Sequence, residues 1–388
     1  MRNYINIVEN MNTDIVSPEL RVLRACFQKV GFDIRIVGGA VRDMLRGIPP
    51  KDIDLCTDAT PDEQIEIYKA NGFSYFETGL AHGTISVRAG VEIYEITSLR
   101  TESDHDGRHA VVHYTRDWLE DLGRRDLTVN AMAMTFDGDI IDPFHGQADL
   151  ETKRVRFVGN PDDRMREDYL RILRWLRFAG RIANGHLDPA TMAAASRNAK
   201  GLQGISRERI WMEFAKIISG NNGHNIVEAI YTMGLAPFMG LPNGNVQKLA
   251  QVWNMTKNPI TLMVALLDED VSSMPVDWKW STEERDLALF LMQKDMMKVD
   301  RQSFKAFVAR DGFPKPWVME LALLNGNPSD ASFIENWIVP VFPVKGQDLI
   351  NSGMKAGPMM GQALKTMKDA WTASDFTMTK DQLLSAGE

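Results

Sequence analysis

Apolar residues recur at helical spacing over 18–30 (PELRVLRACFQKV), which predicts an amphipathic helix. A short apolar run at 34–37 (IRIV) predicts a strand and leads into Gly38-Gly39. Residues 40–47 (AVRDMLRG) predict a helix that Gly47 and Pro49-Pro50 terminate. Alternation of polar and apolar residues over 51–57 (KDIDLCT) predicts a half-buried strand. A helix follows over PDEQIEIYKANG, then strands at 84–88, 91–98, 131–136 and 139–141. After Asp142-Pro143 the strand pattern largely stops. One long amphipathic helix is predicted over 162–182, with Tyr169, Ile172, Leu173 and Leu176 as its core stripe. Another is predicted over 206–219 with Ser206 as N-cap. The rest reads as helices separated by breaks such as GLPNGN at 240–245. The fold class is therefore α+β: a mixed sheet with helices, followed by an all-helical remainder.

Length and charge refine that picture. At roughly 150 residues per domain, 388 residues make two to four units, and 44% hydrophobic with 25% charged content is globular. The two cysteines, Cys26 and Cys56, form no C-x-x-C pair, which excludes a zinc ribbon or a disulfide framework and fits a reducing compartment. No apolar run is long enough to span a membrane, and the start, MRNYINIVENMNTD, lacks the apolar core of a signal peptide. The expectation is a cytoplasmic protein with no membrane partner. The net charge of -8 argues against a uniformly basic nucleic-acid binder. Residues 151–220 nevertheless carry a local +6, either a strip facing a polyanion or a solvated helical face. The Met-rich and Trp-rich C-terminal third has helical spacing, and its methionines are read as core filling.

The sharpest chemistry lies in GGAVRDMLRGIPPKDIDL, residues 38–55. Asp52 and Asp54, two apart on an expected strand, place both carboxylates on one face while Ile53 and Leu55 face inward. Adjacent anions repel, and a divalent cation resolves the repulsion. Mg²⁺ prefers carboxylate and phosphate oxygens, so two Mg²⁺ ions are expected as cofactors. Gly38-Gly39 at a strand-to-helix turn lets the backbone approach phosphates, and Arg42 one turn later can add a charge-assisted contact. Alone, D-x-D is also an ordinary exposed strand edge; the preceding G-G-x-V-R-D makes the functional reading specific.

With these residues in place the chain resembles the class II tRNA nucleotidyltransferases, the CCA-adding enzymes of the polymerase-β-like superfamily. GLAHGTISV (79–87), YEITSLRTESDHDGRHA (94–110), RRDLTVNAM (124–132), DPFHGQADL (142–150), REDYLRILRWLRFAGRI (166–182) and GISRERIWMEF (204–214) match successive motifs of that family. FPVKGQDLINSG (342–353) and KDQLL (380–384) match its tail, so the resemblance covers nearly the whole chain. It is densest from 34 to 214. It implies a catalytic head (1–142), a neck with a base-reading helix (143–220), a helical body (221–338) and a helical tail (339–388). It also implies CTP and ATP as substrates and the 3′ end and elbow of tRNA as partners, with no role for DNA.

Asp168 and Arg171, three apart on the expected 162–182 helix, are neighbours. By resemblance they read the incoming base. Cytosine and adenine each offer an amino donor beside a ring nitrogen acceptor, which a carboxylate and a guanidinium complement. Uracil and guanine present the reverse pattern. The plain alternative is a surface salt bridge. Also by resemblance, Arg125, Asp126 and Asn130 contact ribose and triphosphate, although the same residues suit an ordinary helix start. Glu95 is either a third acid beside the metals or a strand surface residue. Glu167, Arg174 and Arg177 are read as scaffold or RNA contacts, Arg174 also as nucleotide-binding. Arg207, Arg209 and Lys345 are candidate tRNA contacts. Asp106 and Arg108 belong to an expected flexible loop over 101–113, and Asp142 and Gly146 to an expected hinge. His82 reads as structural.

The resemblance leaves four activities to compare: full CCA addition, a bacterial-type poly(A) polymerase, a relative adding only CC or only A, and a catalytically dead tRNA-binding module. The HGT segment at 82–84 and the absence of a long basic tail weigh against the second. A filled loop at 101–113 weighs against CC-only addition but not against A-only addition. Intact Asp52, Asp54, Asp168 and Arg171 weigh against the fourth.

Overall fold

The computed structural model describes residues 16–103, 111–267, 277–295 and 299–385, and divides into two compact units, Met1–Gly240 and Leu241–Glu388. The first unit opens with α1 (Pro18–Gln28), capped by the Ser17 hydroxyl, which accepts from the N–H of Leu20. The chain continues through β1 (Ile34–Val37), α2 (Gly39–Leu45), β2 (Leu55–Thr57) and α3 (Pro61–Asn71). Thr60 and Glu63 form a reciprocal capping box at the start of α3. Then come β3 (Tyr75–Gly79), β4 (Thr84–Ala89), β5 (Glu92–Ser98) and the hairpin β6 (Arg100–Ser103) and β7 (Val111–Tyr114). After α4 (Trp118–Gly123) the sheet is completed by β8 (Ala133–Met134) and β9 (Ile140–Ile141).

Seven strands form one mixed sheet in the order β3-β4-β5-β2-β1-β8-β9. Its one parallel pairing joins β2 to β5, with Leu55 opposite Ile96; the others are antiparallel. One face buries Ile34, Ile36, Leu55, Ile85, Val87, Ile96 and Met134 under Leu20, Leu23, Phe27, Ile67 and Tyr68 of α1 and α3. The opposite face buries a smaller cluster of Val37, Cys56, Leu99, Leu122 and Ala133. This second, thinly covered face is the one that carries the cleft.

The α+β expectation holds, with three local differences. The strand expected over 51–57 begins only at Leu55, so Asp52 and Asp54 lie in the extended lead-in. The Asp54 carbonyl still accepts from the N–H of Val37 at 2.9 Å, which keeps the lead-in aligned with β1. β3 and the β6–β7 hairpin were not among the expected strands. Finally, the helix expected over 162–182 is two helices, α6 (Pro161–Glu167) and α7 (Leu170–Ile182), after α5 (Gly146–Glu151). Asp168 is extended at φ -153° and ψ 109° and breaks the run. Its carboxylate accepts from the N–H of Leu170 at 3.0 Å, so the side chain that stops α6 starts α7. Tyr169 consequently leaves the core stripe. It packs on Gly201, where a Cβ would lie 2.1 Å from the ring.

The unit continues with α8 (Pro189–Asn198), α9 (Arg207–Ile218), capped by Ser206 as expected, and α10 (Gly223–Thr232). In the second unit every described element is helical, the isolated bridge between Gly244 and Leu267 aside. Its C-terminal part closes over Val344, Leu349, Met367, Trp371 and Leu383, with Met354, Met360 and Met378 packed against them. Those methionines fill core, as their spacing suggested.

Candidate active site

The cleft is built around the turn from β1 into α2. Gly38 has φ +68°, a conformation that favours glycine, and a Cβ there would lie 2.7 Å from Nη1 of Arg125 and displace that guanidinium. Its N–H donates to the Met132 carbonyl at 3.0 Å, which ties the turn to the chain entering β8. Arg42 is 5% exposed. It donates to Asn130 Oδ1 at 2.5 Å and to Asp43 at 3.0 and 2.9 Å, and stacks over Phe178 at 4.8 Å. It lines the cleft as a brace between α2, the 128–130 turn and α7.

Asp54 faces the same cleft, while Asp52 stands exposed beside it. Crowding at the cleft raises the Asp54 carboxyl above its ordinary range; Arg125 and Arg42 pull it down and Asp52 pushes it up. Among the described residues no group of three His, Cys, Asp or Glu side chains is gathered in metal-binding geometry, so Glu95 does not complete a triad with the two aspartates. Glu95 is exposed on β5, one residue before Ile96, the partner of Leu55.

Arg125 runs under the turn. It donates to the fully buried Asp121 at 3.3 Å and reaches Cys56 Sγ at 3.8 Å, while its Nε has no acceptor. Burial, reinforced by Asp121, pushes the Cys56 thiol up to about 12, so it stays protonated. Asp126 accepts from the Leu127 N–H (2.8 Å), from Asn130 (3.2 Å) and from Arg174 (2.6 Å). Burial opposes its ionisation, but Arg174 and these hydrogen bonds outweigh burial and hold its carboxyl below the usual range.

Opposite stand the residues of the α6–α7 break. Asp168 Oδ2 accepts from Arg209 at 2.9 Å. Arg171 donates to Glu167, and at 3.4 Å to the carbonyls of Arg164 and Arg124. The two are therefore not paired with each other, as an unbroken helix had suggested. Each is held by another partner and both line the cleft. Gly38, Gly39, Arg42, Asp54, Arg125, Asp126, Asn130, Asp168, Arg171, Arg174 and Arg177 all meet there around about 470 Å³.

Other expected site residues lie elsewhere. Arg209 stands behind Asp168. Arg207 hydrogen-bonds the Phe238 carbonyl at 3.4 Å and packs against Gly240. Asp142 accepts from the N–H groups of Gly146 and Gln147 at 2.7 and 2.9 Å, and a Cβ on Gly146 would lie 2.4 Å from the Thr128 carbonyl. This is a tightly packed joint. Lys345 is exposed ahead of the helix Gly346–Asn351. Asp106 and Arg108 lie outside the described residues.

Sequence reading missed Arg124, Phe178 and Arg181, which also line the cleft. Phe178 and Arg181 follow Arg174 at i+4 and i+7, so the helical period could have found them. It missed Asp121 too, which lies only four residues before Arg125, and Glu213, a distant acid that the fold brings to Arg177. No helix among the described residues is long and apolar enough to cross a membrane.

Residues 34–156 match the family model described as the poly A polymerase head domain, and residues 186–241 that of the probable RNA and SrmB- binding site of polymerase A. The chain is 40% identical over 385 residues to CCA tRNA nucleotidyltransferase 1, mitochondrial, of Mus musculus, covering 94% of this chain and 89% of that protein. It is 31% identical over 399 residues to the CCA-adding enzyme of Lacticaseibacillus paracasei, covering 96% and 97%. Among solved structures, the Bacillus stearothermophilus CCA-adding enzyme in complex with CTP superposes with a TM-score of 0.76 at 26% identity, over 92% of this chain and 94% of that one. The Thermotoga maritima CCA-adding enzyme complexed with tRNA shares the fold, with a TM-score of 0.71 at 18% identity over 98% and 97%. With a full-length match of this kind laid over the cleft, the chain belongs to the CCA tRNA nucleotidyltransferases and is an enzyme of that family.

Proposed function

We propose that this chain adds C, C and A in turn to the 3′ end of tRNA from CTP and ATP, without a nucleic-acid template, releasing pyrophosphate at each step. One observation carries the reading: Asp54 and the glycine turn share a single cleft with Asp168 and Arg171. Transfer joins the terminal ribose hydroxyl to the α-phosphate, breaks the α–β phosphoanhydride and leaves the hydroxyl proton to solvent.

The family depends on a divalent metal, and the donor set fits one: two adjacent exposed carboxylates before β2. Asp52 and Asp54 would hold two Mg²⁺ ions, which supply electrostatic stabilisation of the attacking and leaving oxygens. Gly38 and Gly39 let the phosphates approach the backbone, and Arg42 and Arg125 keep that turn in place. Asp126 and Asn130 present a carboxylate and an amide to the sugar. Asp168 accepts from the amino group of C or A while Arg171 donates to the adjacent ring nitrogen. A carboxylate has about four acceptor sites and a guanidinium five N–H donors, so the bonds to Arg209 and Glu167 leave capacity for a base.

Incubating the protein with tRNA lacking its last three, two or one nucleotides, with CTP, ATP or both, and sequencing the ends tests the reading. Completion of CCA from each substrate is expected. Addition of A alone would replace it with the A-only alternative, and long A tails with the poly(A) alternative. The loop over 101–113 gives a finer test. Shortening Ser103–Ala110 should spare addition of two C residues and impair the final A; equal loss of both would make the loop a general support.

A further inference from the structure

Asp121 is fully buried and is not among the residues that line the cleft. It sits on α4 beside Leu122, which belongs to the small cluster of Val37, Cys56, Leu99 and Ala133. A carboxylate in such a place is costly unless its acceptor sites are used. Apolar residues of similar volume often replace a buried ion pair without loss of stability, so packing alone does not call for a charge here.

The hydrogen bonds of Asp121 lead to two different places. Oδ1 accepts from Arg124 Nε at 2.9 Å and Nη2 at 2.8 Å, and from the backbone N–H of Arg100 at 3.2 Å. Oδ2 accepts from Arg125 Nη2 at 3.3 Å. Arg124 and Arg125 both line the cleft, and Arg125 passes beneath Gly38. Arg100 is the first residue of β6 and stands opposite Tyr114, at the root of the β6–β7 hairpin. One carboxylate thus holds two cleft guanidiniums and the hairpin root. The end of α4 also meets the base-reading side: the Gly123 carbonyl accepts from Arg164, and the Arg124 carbonyl from Arg171 at 3.4 Å.

We propose that Asp121 is a positioning residue that sets the two cleft arginines and the root of the β6–β7 hairpin as one unit, so that a nucleotide held in the cleft is felt at Arg100. The inference rests on the reading of the cleft as the nucleotide site. Phosphates attract Arg124 and Arg125, and a guanidinium bonded to each carboxylate oxygen moves only with that carboxylate. The carboxylate in turn carries the Arg100 N–H. The charge matters as well as the shape. In Asp121→Asn one oxygen becomes an NH₂ donor, and in either orientation that donor faces another donor, from Arg125 or from Arg124 and Arg100.

Amide hydrogen exchange read by mass spectrometry tests this without turnover, with and without saturating CTP and with no tRNA present. In the wild type CTP should slow exchange both in the cleft peptide 124–132 and in the hairpin-root peptide 98–103. In Asp121→Asn the cleft response should remain at saturation and the hairpin response should be lost. KM for CTP and for ATP should rise several-fold, with kcat changed less. A second pair of variants leaves the buried charge in place. Arg100→Pro removes the N–H that Asp121 accepts, at the first position of a strand, where proline is tolerated. Arg100→Ala keeps that N–H. The hairpin response should be lost in the first and kept in the second. A cleft response without a hairpin response in the wild type would overturn the proposal, as would a hairpin response equal in wild type, Asp121→Asn and Arg100→Pro. A fall in kcat that follows lost thermal stability, with KM unmoved, would make Asp121 merely structural. Absence of any response to CTP in the cleft peptide would instead overturn the reading of the cleft, and the proposal with it.

Discussion

The cleft region and the C-terminal part of the second unit are both rich in helices, yet different forces hold them. Around the cleft, arginines are tied to acids: Arg125 to Asp121 one turn earlier, and, across elements, Arg174 to Asp126, Arg177 to Glu213 and Arg181 to Asp43. In the C-terminal part, Trp371 is packed edge-on against Phe342 and Phe376 at 5.3 and 4.9 Å inside an apolar cluster. Apolar packing is non-directional and tolerates changes of surface charge. A lattice of ion pairs is directional, and removing one partner leaves the other buried and unpaired. The first arrangement suits a surface that must orient a nucleotide, and the second suits a scaffold.

The comparison is most sharply tested at its two extremes. Asp54→Ala should abolish addition of both C and A, because each transfer uses the same carboxylates, while circular dichroism and melting stay close to wild type. Near-normal turnover with either nucleotide in Mg²⁺ would remove the metal assignment. Trp371→Ala should do the opposite. Deleting a side chain that is 2% exposed costs about 3–5 kcal/mol. Chemical denaturation should show this loss in the transition of the second unit, with selection between C and U unchanged.

Smaller effects separate the base readers from their supports. Asp168→Ala should erode discrimination of C and A against U and G more than tRNA affinity, measured by single-nucleotide incorporation and by binding. Arg209→Ala should give a milder loss of the same kind, because Asp168 keeps the N–H of Leu170. Weakened tRNA affinity with intact selection would instead make these residues RNA-gripping.

The smallest effect is a pH dependence. The Asp126 carboxyl is held below its ordinary range, so its folded-state pKa lies under its unfolded one. The stability it contributes is present above the unfolded value of about 3.9 and is lost as pH falls through the folded one. Asp126→Asn should therefore flatten the decline in unfolding free energy at acid pH, with no change in slope near neutrality. An undiminished acid decline would place that sensitivity elsewhere.

The sequence by itself determined much of this protein. Period-two and helical spacing located β1, α2, α3, β4 and β5, because alternation and amphipathicity are properties of neighbouring residues. The Gly38-Gly39 turn and the Asp52/Asp54 pair were legible because each is a local signal, and the resemblance extended that reading to Asp168 and Arg171. Tertiary structure alone decided the rest. It started β2 only at Leu55 and left the two aspartates outside the strand. It broke the 162–182 helix at Asp168, where a side chain bonds its own backbone and Tyr169 settles on Gly201. It also chose Asp43, Glu213 and Arg209 as partners of the cleft residues. Those pairings join residues as far apart as the 138 positions between Asp43 and Arg181. No local pattern encodes such a pairing, because it exists only once the sheet and the helices have packed.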